Sequence, residues 1–145
     1  LKTTNAGETW EYKEIDMIER ETGNPPVFTD IYFYDDTIGW AVGSQGIIKT
    51  TDRGETWKCK NYNDAYIRSI IFSDKNTGMA ITTNSSYAED SSKIFFTYLL
   101  RTYNSGNSWD TTVLDYSNVF LDLFLIDEYT VCAVGNNGNI KILCL

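Results

Sequence analysis

Histidine is missing altogether from the 145 residues. Its absence removes from this segment the commonest general base near neutral pH, the serine–histidine triads and ordinary zinc ligation. Basic residues are few as well. Twelve Lys and Arg stand against twenty Asp and Glu, a formal charge of −8. A chain so short of Lys and Arg is a poor partner for a nucleic-acid backbone or an anionic lipid surface. Cysteine occurs only as Cys59, Cys132 and Cys144, with no CxxC spacing. They read as three buried thiols, with a disulfide as the alternative. No apolar run is long enough to cross a membrane as a helix. Proline is confined to Pro25-Pro26, where together with Gly23-Asn24 it marks a connection between regular segments.

What the chain does have is one octapeptide three times over. Thr3-Thr4-Asn5-Ala6-Gly7-Glu8-Thr9-Trp10 returns as Thr50-Thr51-Asp52-Arg53-Gly54-Glu55-Thr56-Trp57, and again as Thr102-Tyr103-Asn104-Ser105-Gly106-Asn107-Ser108-Trp109. Recurrence at a period of roughly 50 residues is the signature of a repeat architecture. Locally each copy reads as a turn. The Asp or Asn side chain accepts from backbone N–H groups two residues on. The glycine supplies a positive φ, and the Trp is a large apolar anchor. The three tryptophans should therefore occupy like surroundings.

The octapeptide resembles the Asp-box, or bacterial neuraminidase repeat, which joins the third and fourth strands of β-propeller blades. The longer run from Ile38-Gly39-Trp40-Ala41-Val42-Gly43 through Thr56-Trp57 resembles the repeat of photosystem II stability/assembly factor-like propellers. The resemblance covers nearly the whole chain. It implies an all-β fold of about three four-stranded blades, part of a larger ring. It implies a structural role for Thr3, Asn5, Gly7, Thr9, Trp10 and their equivalents, and little about activity, since function belongs to sites and not to folds.

Strand patterning fits that expectation. Residues 1–15 hold the end of a third strand, the first octapeptide and a fourth strand at 9–15. A blade over 27–62 has strands at 27–34, 39–43, 47–51 and 56–60. The next, over 67–114, has strands at 67–73, 78–83, 93–102 and 108–114, with a polar loop inserted at 84–92. The last, 119–145, has strands at 119–126, 130–135 and 139–144. Lys141 matches Lys49, but Ile142-Leu143-Cys144-Leu145 stands where a fourth octapeptide would begin. The blade approximately over residues 1–20 is thus partial, and 1–145 is a single partial propeller domain. First strands such as Val119-Phe120-Leu121-Asp122-Leu123-Phe124-Leu125-Ile126 are apolar on both alternating sets, as strands covered on both faces should be. Such propellers close with about 4–8 blades. The chain therefore implies either upstream blades or two copies joined into a six-bladed ring.

In a propeller, the loops from fourth to first strands and from second to third strands share one face, the usual binding face. The candidates there are Gln45 and Asn137 at hairpin tips, Tyr62, Asp64 and Tyr66 between blades, Tyr87, Glu89 and Asp90 in the insertion, and Asp115 and Tyr116. Tyrosine with small polar and acidic neighbours suits a protein or glycan ligand. Asp64 with Glu89 or Asp90 is the one carboxylate pair conceivable for glycoside hydrolysis, whereas Asp35-Asp36 sit on the octapeptide side. The sialidase arginine cluster is not matched by Arg20, Arg53, Arg68 and Arg101. Asp52-Arg53-Gly54 also lacks the alternating acids of a calcium loop. The expectation is a non-catalytic propeller scaffold or binding module acting outside the cytoplasm (extracellular, cell-surface or periplasmic), without metal or cofactor. The alternative is part of a secreted glycoside hydrolase, xyloglucanase-type rather than sialidase.

Overall fold

The computed structural model describes residues 1–12, 26–44, 46–60 and 66–145. Phe28–Phe33 (β1), Gly39–Gly43 (β2), Gly46–Thr50 (β3) and Lys58–Lys60 (β4) form one antiparallel meander. Ile67–Phe72 (β5), Gly78–Tyr87 (β6), Lys93–Thr102 (β7) and Asp110–Asp115 (β8) form the second. Phe120–Asp127 (β9), Thr130–Gly135 (β10) and Ile140–Cys144 (β11) form a three-stranded third. Of the first repeat, the described residues show only the bridge between Lys2 and Glu11. The strand expected at 9–15 lies partly outside the described residues.

The sheets pack face to face through two apolar layers. Between the first and second lie Trp40, Val42, Ile47, Ile70, Phe72, Leu100 and Trp109. Between the second and third lie Ile71, Met79, Ile81, Leu99, Phe120, Leu123 and Val131. First strands of successive sheets lie side by side, β1 against β5 and β5 against β9. They are joined by equivalent residues. Ser69 Oγ stands 2.9 Å from Asp30 Oδ2 and 2.9 Å from Asp122 Oδ1, and accepts from the Leu123 N–H at 3.2 Å. One buried hydroxyl thus serves a carboxylate on either side. Ser69→Ala should destabilise the fold by about 1–3 kcal/mol, the usual result of stripping a partner from polar groups out of water. A denaturant midpoint unchanged by that substitution would show that water replaces the hydroxyl.

The octapeptides hold one geometry three times. Thr3, Thr50 and Thr102 accept through Oγ1 from the N–H of Gly7, Gly54 and Gly106 at 2.9–3.0 Å. Asn5, Asp52 and Asn104 accept through Oδ1 from the N–H of Thr9, Thr56 and Ser108 at 2.8–2.9 Å. The side-chain acceptor therefore reaches four residues ahead, not the two expected, because the threonine already serves the glycine between. The glycines lie at φ 92°, 78° and 77°, and the residues before them, Ala6, Arg53 and Ser105, are also left-handed.

A cation on the third strand reaches across to the next sheet. Lys49 Nζ donates to Ser105 O at 2.9 Å, and Arg101 Nη2 donates to Cys144 O at 3.2 Å. Lys2 Nζ donates to Arg53 O at 3.0 Å and pairs with Glu55.

Four expectations need correction. Residues 84–87 are not loop: they extend β6 and pair with 93–96 of β7, because Ile94-Phe95-Phe96 opposite them are strong strand formers. Only 88–92 turns, closed by the Ala88 N–H on Ser92 O at 2.8 Å. Lys141 is not the counterpart of Lys49. The β2–β3 hairpin joins Gly43 directly opposite Gly46, but the β10–β11 hairpin carries the three-residue turn Asn136–Gly138. One added residue turns every side chain to the other face. Ile142 therefore stands opposite Cys132 as Lys49 stands opposite Trp40, while Lys141 faces the second sheet and donates to Leu114 O at 2.8 Å. None of the three cysteines is buried: Cys59 and Cys132 are half-buried and Cys144 is exposed. Nor is β9 covered on both faces, since Leu121, Phe124, Leu125 and Ile126 are exposed.

The tryptophans share a local pose but not a degree of burial. Trp109 is 9% exposed, Trp57 is half-buried and Trp10 is 58% exposed.

Candidate functional site

The ends of the sheets away from the octapeptides carry the expected loops. Of the ten candidates there, Gln45, Tyr62 and Asp64 lie outside the described residues. Tyr66 immediately precedes β5, and the Arg68 guanidinium lies 4.7 Å from its ring centroid. Tyr87 closes the extended β6–β7 ribbon and is exposed. Glu89 and Asp90 sit on the ribbon's tip, with Asp90 Oδ1 accepting from the Ser92 N–H at 2.9 Å. The Ser92 hydroxyl and N–H hold the Asp90 carboxyl below the ordinary carboxylate range. Tyr116 packs edge-on against Phe96, centroids 6.2 Å apart.

Asp115 is engaged within its own turn. Its Oδ1 accepts from the N–H of Ser117 and of Asn118, both at 2.9 Å, and Lys141 Nζ lies 3.6 Å from its Oδ2. The Ser117 N–H is the first cause of its depressed pKa, and Lys141 adds to it. That carboxylate shapes the loop and has little capacity left for a ligand. Asn137, at φ 58°, caps the β10–β11 turn. Behind it Asn139 Nδ2 donates to Asn118 Oδ1 at 2.8 Å, tying two loops together.

Between those loops lies a cleft of about 310 Å³. Its second-sheet wall is Arg68 on β5, Thr83 on β6 and Phe95 on the ribbon; the opposite wall is Ser117, Val119, Leu121, Asn136 and Asn137. Arg68 Nε and Thr83 Oγ1 are shielded from solvent, and among the described residues neither has a hydrogen-bond partner. Buried polar groups are normally paired, so two unmet groups on one wall are a seat for a ligand's acceptors. Lys93 Nζ stands 5.2 Å from the Phe95 ring centroid at the rim. Of the described candidates named from the sequence, only Asn137 lines this cleft. Arg68, Thr83 and Phe95 were legible in part: Arg68 is the one cation within the apolar run Ile67–Phe72. Among the described residues no group of three or more Cys, Asp or Glu is placed to hold a metal ion.

No family model matches the sequence, and no curated protein matches it. Among solved structures the chain is similar to YCF48 bound to D1 peptide, with a TM-score of 0.63 and 22% identity. The match covers 81% of this chain and 36% of that one. The likeness shows the fold: the three sheets are blades of a β-propeller. The chain spans little more than a third of the length of the propeller it matches.

Proposed function

We propose that the chain is a non-catalytic propeller module that binds an extended segment of a partner protein in the cleft between its second and third blades. The observation that carries this reading is the pair of unmet, solvent-shielded groups, Arg68 Nε and Thr83 Oγ1, in a cleft with apolar Phe95, Val119 and Leu121. A peptide supplies carbonyl acceptors at regular spacing and side chains for the apolar walls. A structurally similar propeller was solved with a peptide bound, which supports a peptide in preference to a glycan. The resemblance to assembly-factor propellers further suggests a partner met during protein assembly, outside the cytoplasm.

The test uses peptides selected from a random display library against the whole chain. Arg68→Gln should weaken the selected peptides about tenfold or more, the usual result of losing a charge-assisted hydrogen bond. Asp110→Asn, on the exposed part of β8 away from the cleft, should leave them unchanged. Selected peptides indifferent to both Arg68→Gln and Thr83→Val would place binding elsewhere.

A further inference from the structure

Each octapeptide is immediately preceded by a cation, Lys2, Lys49 or Arg101, and what stands opposite that cation differs between repeats. Lys2 bridges to Glu11, and Arg101 pairs with Asp110. In the middle repeat Lys49 stands opposite Lys58. Opposite charges facing one another across two strands are favourable, and like charges there are destabilising. The middle repeat alone has exchanged the first arrangement for the second.

A second neighbour changes in step with the first. Lys2 also pairs with Glu55, the sixth residue of the octapeptide it reaches across to. Lys49 reaches across to the next octapeptide, whose sixth residue is Asn107. A cation between two acids at one blade boundary thus becomes, at the next, two cations beside a neutral amide. Between them lies a pocket of about 160 Å³. Buried Trp40 and Ile47 form its floor, Lys49 and Lys58 one side, and Gly106 and Asn107 the other. Both walls belong to described, consecutive blades, so neither wall is missing. Lys49 Nζ is anchored on Ser105 O at 2.9 Å and Ser105 Oγ at 2.6 Å. Among the described residues, Lys58 Nζ has no hydrogen-bond or ion-pair partner.

We infer that this pocket is a seat for a small, doubly charged tetrahedral oxyanion, a phosphoryl group held between Lys49 and Lys58. The anion stands in for the two acids that the other boundary supplies. Lysine binds phosphate as a point charge, and the Thr51 hydroxyl on the same rim is a further donor. The chain's overall charge of −8 repels an extended polyanion. The volume equals that of roughly five waters at about 30 Å³ each, which suits a single small group.

Melting of the whole chain in sodium phosphate is compared with melting in sodium chloride at equal ionic strength and neutral pH, so that general screening cancels. Phosphate should raise the melting temperature by a few degrees, as a ligand of the folded state does. Lys58→Glu restores the acid that Glu11 and Asp110 supply in the other repeats. Asn107→Glu restores the acid of Glu8 and Glu55, in a turn that already accepts glutamate. Both variants should melt at or above the parent in chloride, because Lys49 regains an opposite charge, and both should lose the phosphate shift. Arg68→Gln, in the loop cleft, should keep it. Equal melting of the parent in the two salts, an undiminished phosphate shift in both acidic variants, or a shift lost in Arg68→Gln would each overturn the assignment. Calorimetric titration then separates two sources of the same chemistry. Tighter binding of phenyl phosphate than of inorganic phosphate assigns the seat to a phosphoryl group carried on an organic body, and equal or weaker binding assigns it to the free ion.

Discussion

Trp40→Ala should destabilise the protein by about 3–5 kcal/mol, the range for emptying a buried aromatic site. The indole is wholly buried, stacked on Phe72 and closed over by Gly106 and Trp109. Collapse into the space is limited, because Phe72 stays held by Tyr32 and Trp109 and Lys49 is tied to Ser105. Domains of this size hold a net stability of about 5–15 kcal/mol, so the substitution removes a large part of it. A fall in melting temperature on the order of 10 °C follows. Trp10→Ala, at a 58% exposed site, should change stability by about 0.5 kcal/mol or less. The comparison is informative because Trp40 sits on a second strand between two sheets, whereas Trp10 closes an octapeptide with most of its ring in solvent. Equal effects from both would mean that the interface between the first two blades is not where the fold is secured.

The unequal tryptophans show how far the sequence carries. An octapeptide fixes its own turn, since the hydrogen bonds that close the turn span four residues or fewer. All three copies are therefore legible as the same object. Burial of the Trp depends on a neighbouring blade: Trp109 shares a buried cluster with Trp40 of the first blade, whereas Trp10 is 58% exposed, and no local pattern encodes the difference. The same division governs the strands. Gly39–Gly43, Lys93–Thr102 and Thr130–Gly135 were readable to the residue. The extension of β6 through Asn84, Ser85, Ser86 and Tyr87 was not, because its own residues are polar and its partner strand supplies the β-propensity. Lys141 failed for a third reason. Motif alignment counts residues, whereas a sheet counts pairs, and the added residue in the Asn136–Gly138 turn separates the two counts.

The loop cleft was legible as a place but not as a set of side chains. Topology put Tyr66, Tyr116 and Asn137 at the end of the sheets where the cleft lies. The residues that line the cleft are strand ends, Arg68, Thr83 and Phe95, which a search for polar loops passes over. The cleft arises at the boundary between the second and third blades. A single blade buries neither of its faces alone, so whatever meets a blade face or rim meets two repeats at once.

Acid should unfold this protein over a defined window. Asp35, Asp52, Asp74, Asp90, Asp115 and Asp127 all sit below the ordinary aspartate value, each because N–H or hydroxyl donors of its own turn favour the ionised form. Asp52 falls furthest, to about 2, with the Thr56 hydroxyl the leading cause and the Thr56 N–H next. A carboxyl depressed in the folded state means that the unfolded chain binds more protons in the interval between the two values. Stability is then complete above the unfolded value of 3.8 and is lost as pH falls toward about 2. The melting temperature should be level from neutral pH to just above that value and then drop through the window. Asp52→Asn isolates one contribution. Asn5 and Asn104 already build the same turn, with Nδ2 donating to Thr9 and Ser108 hydroxyls at 2.8 Å where Asp52 accepts from Thr56. The variant should therefore fold as the parent does at neutral pH and show a shallower acid decline. Asp52→Ala, which lacks the acceptor, should melt lower at every pH. An Asp52→Asn protein with the parent's full acid slope would assign that slope to the other turns and remove the octapeptide from the account of acid sensitivity.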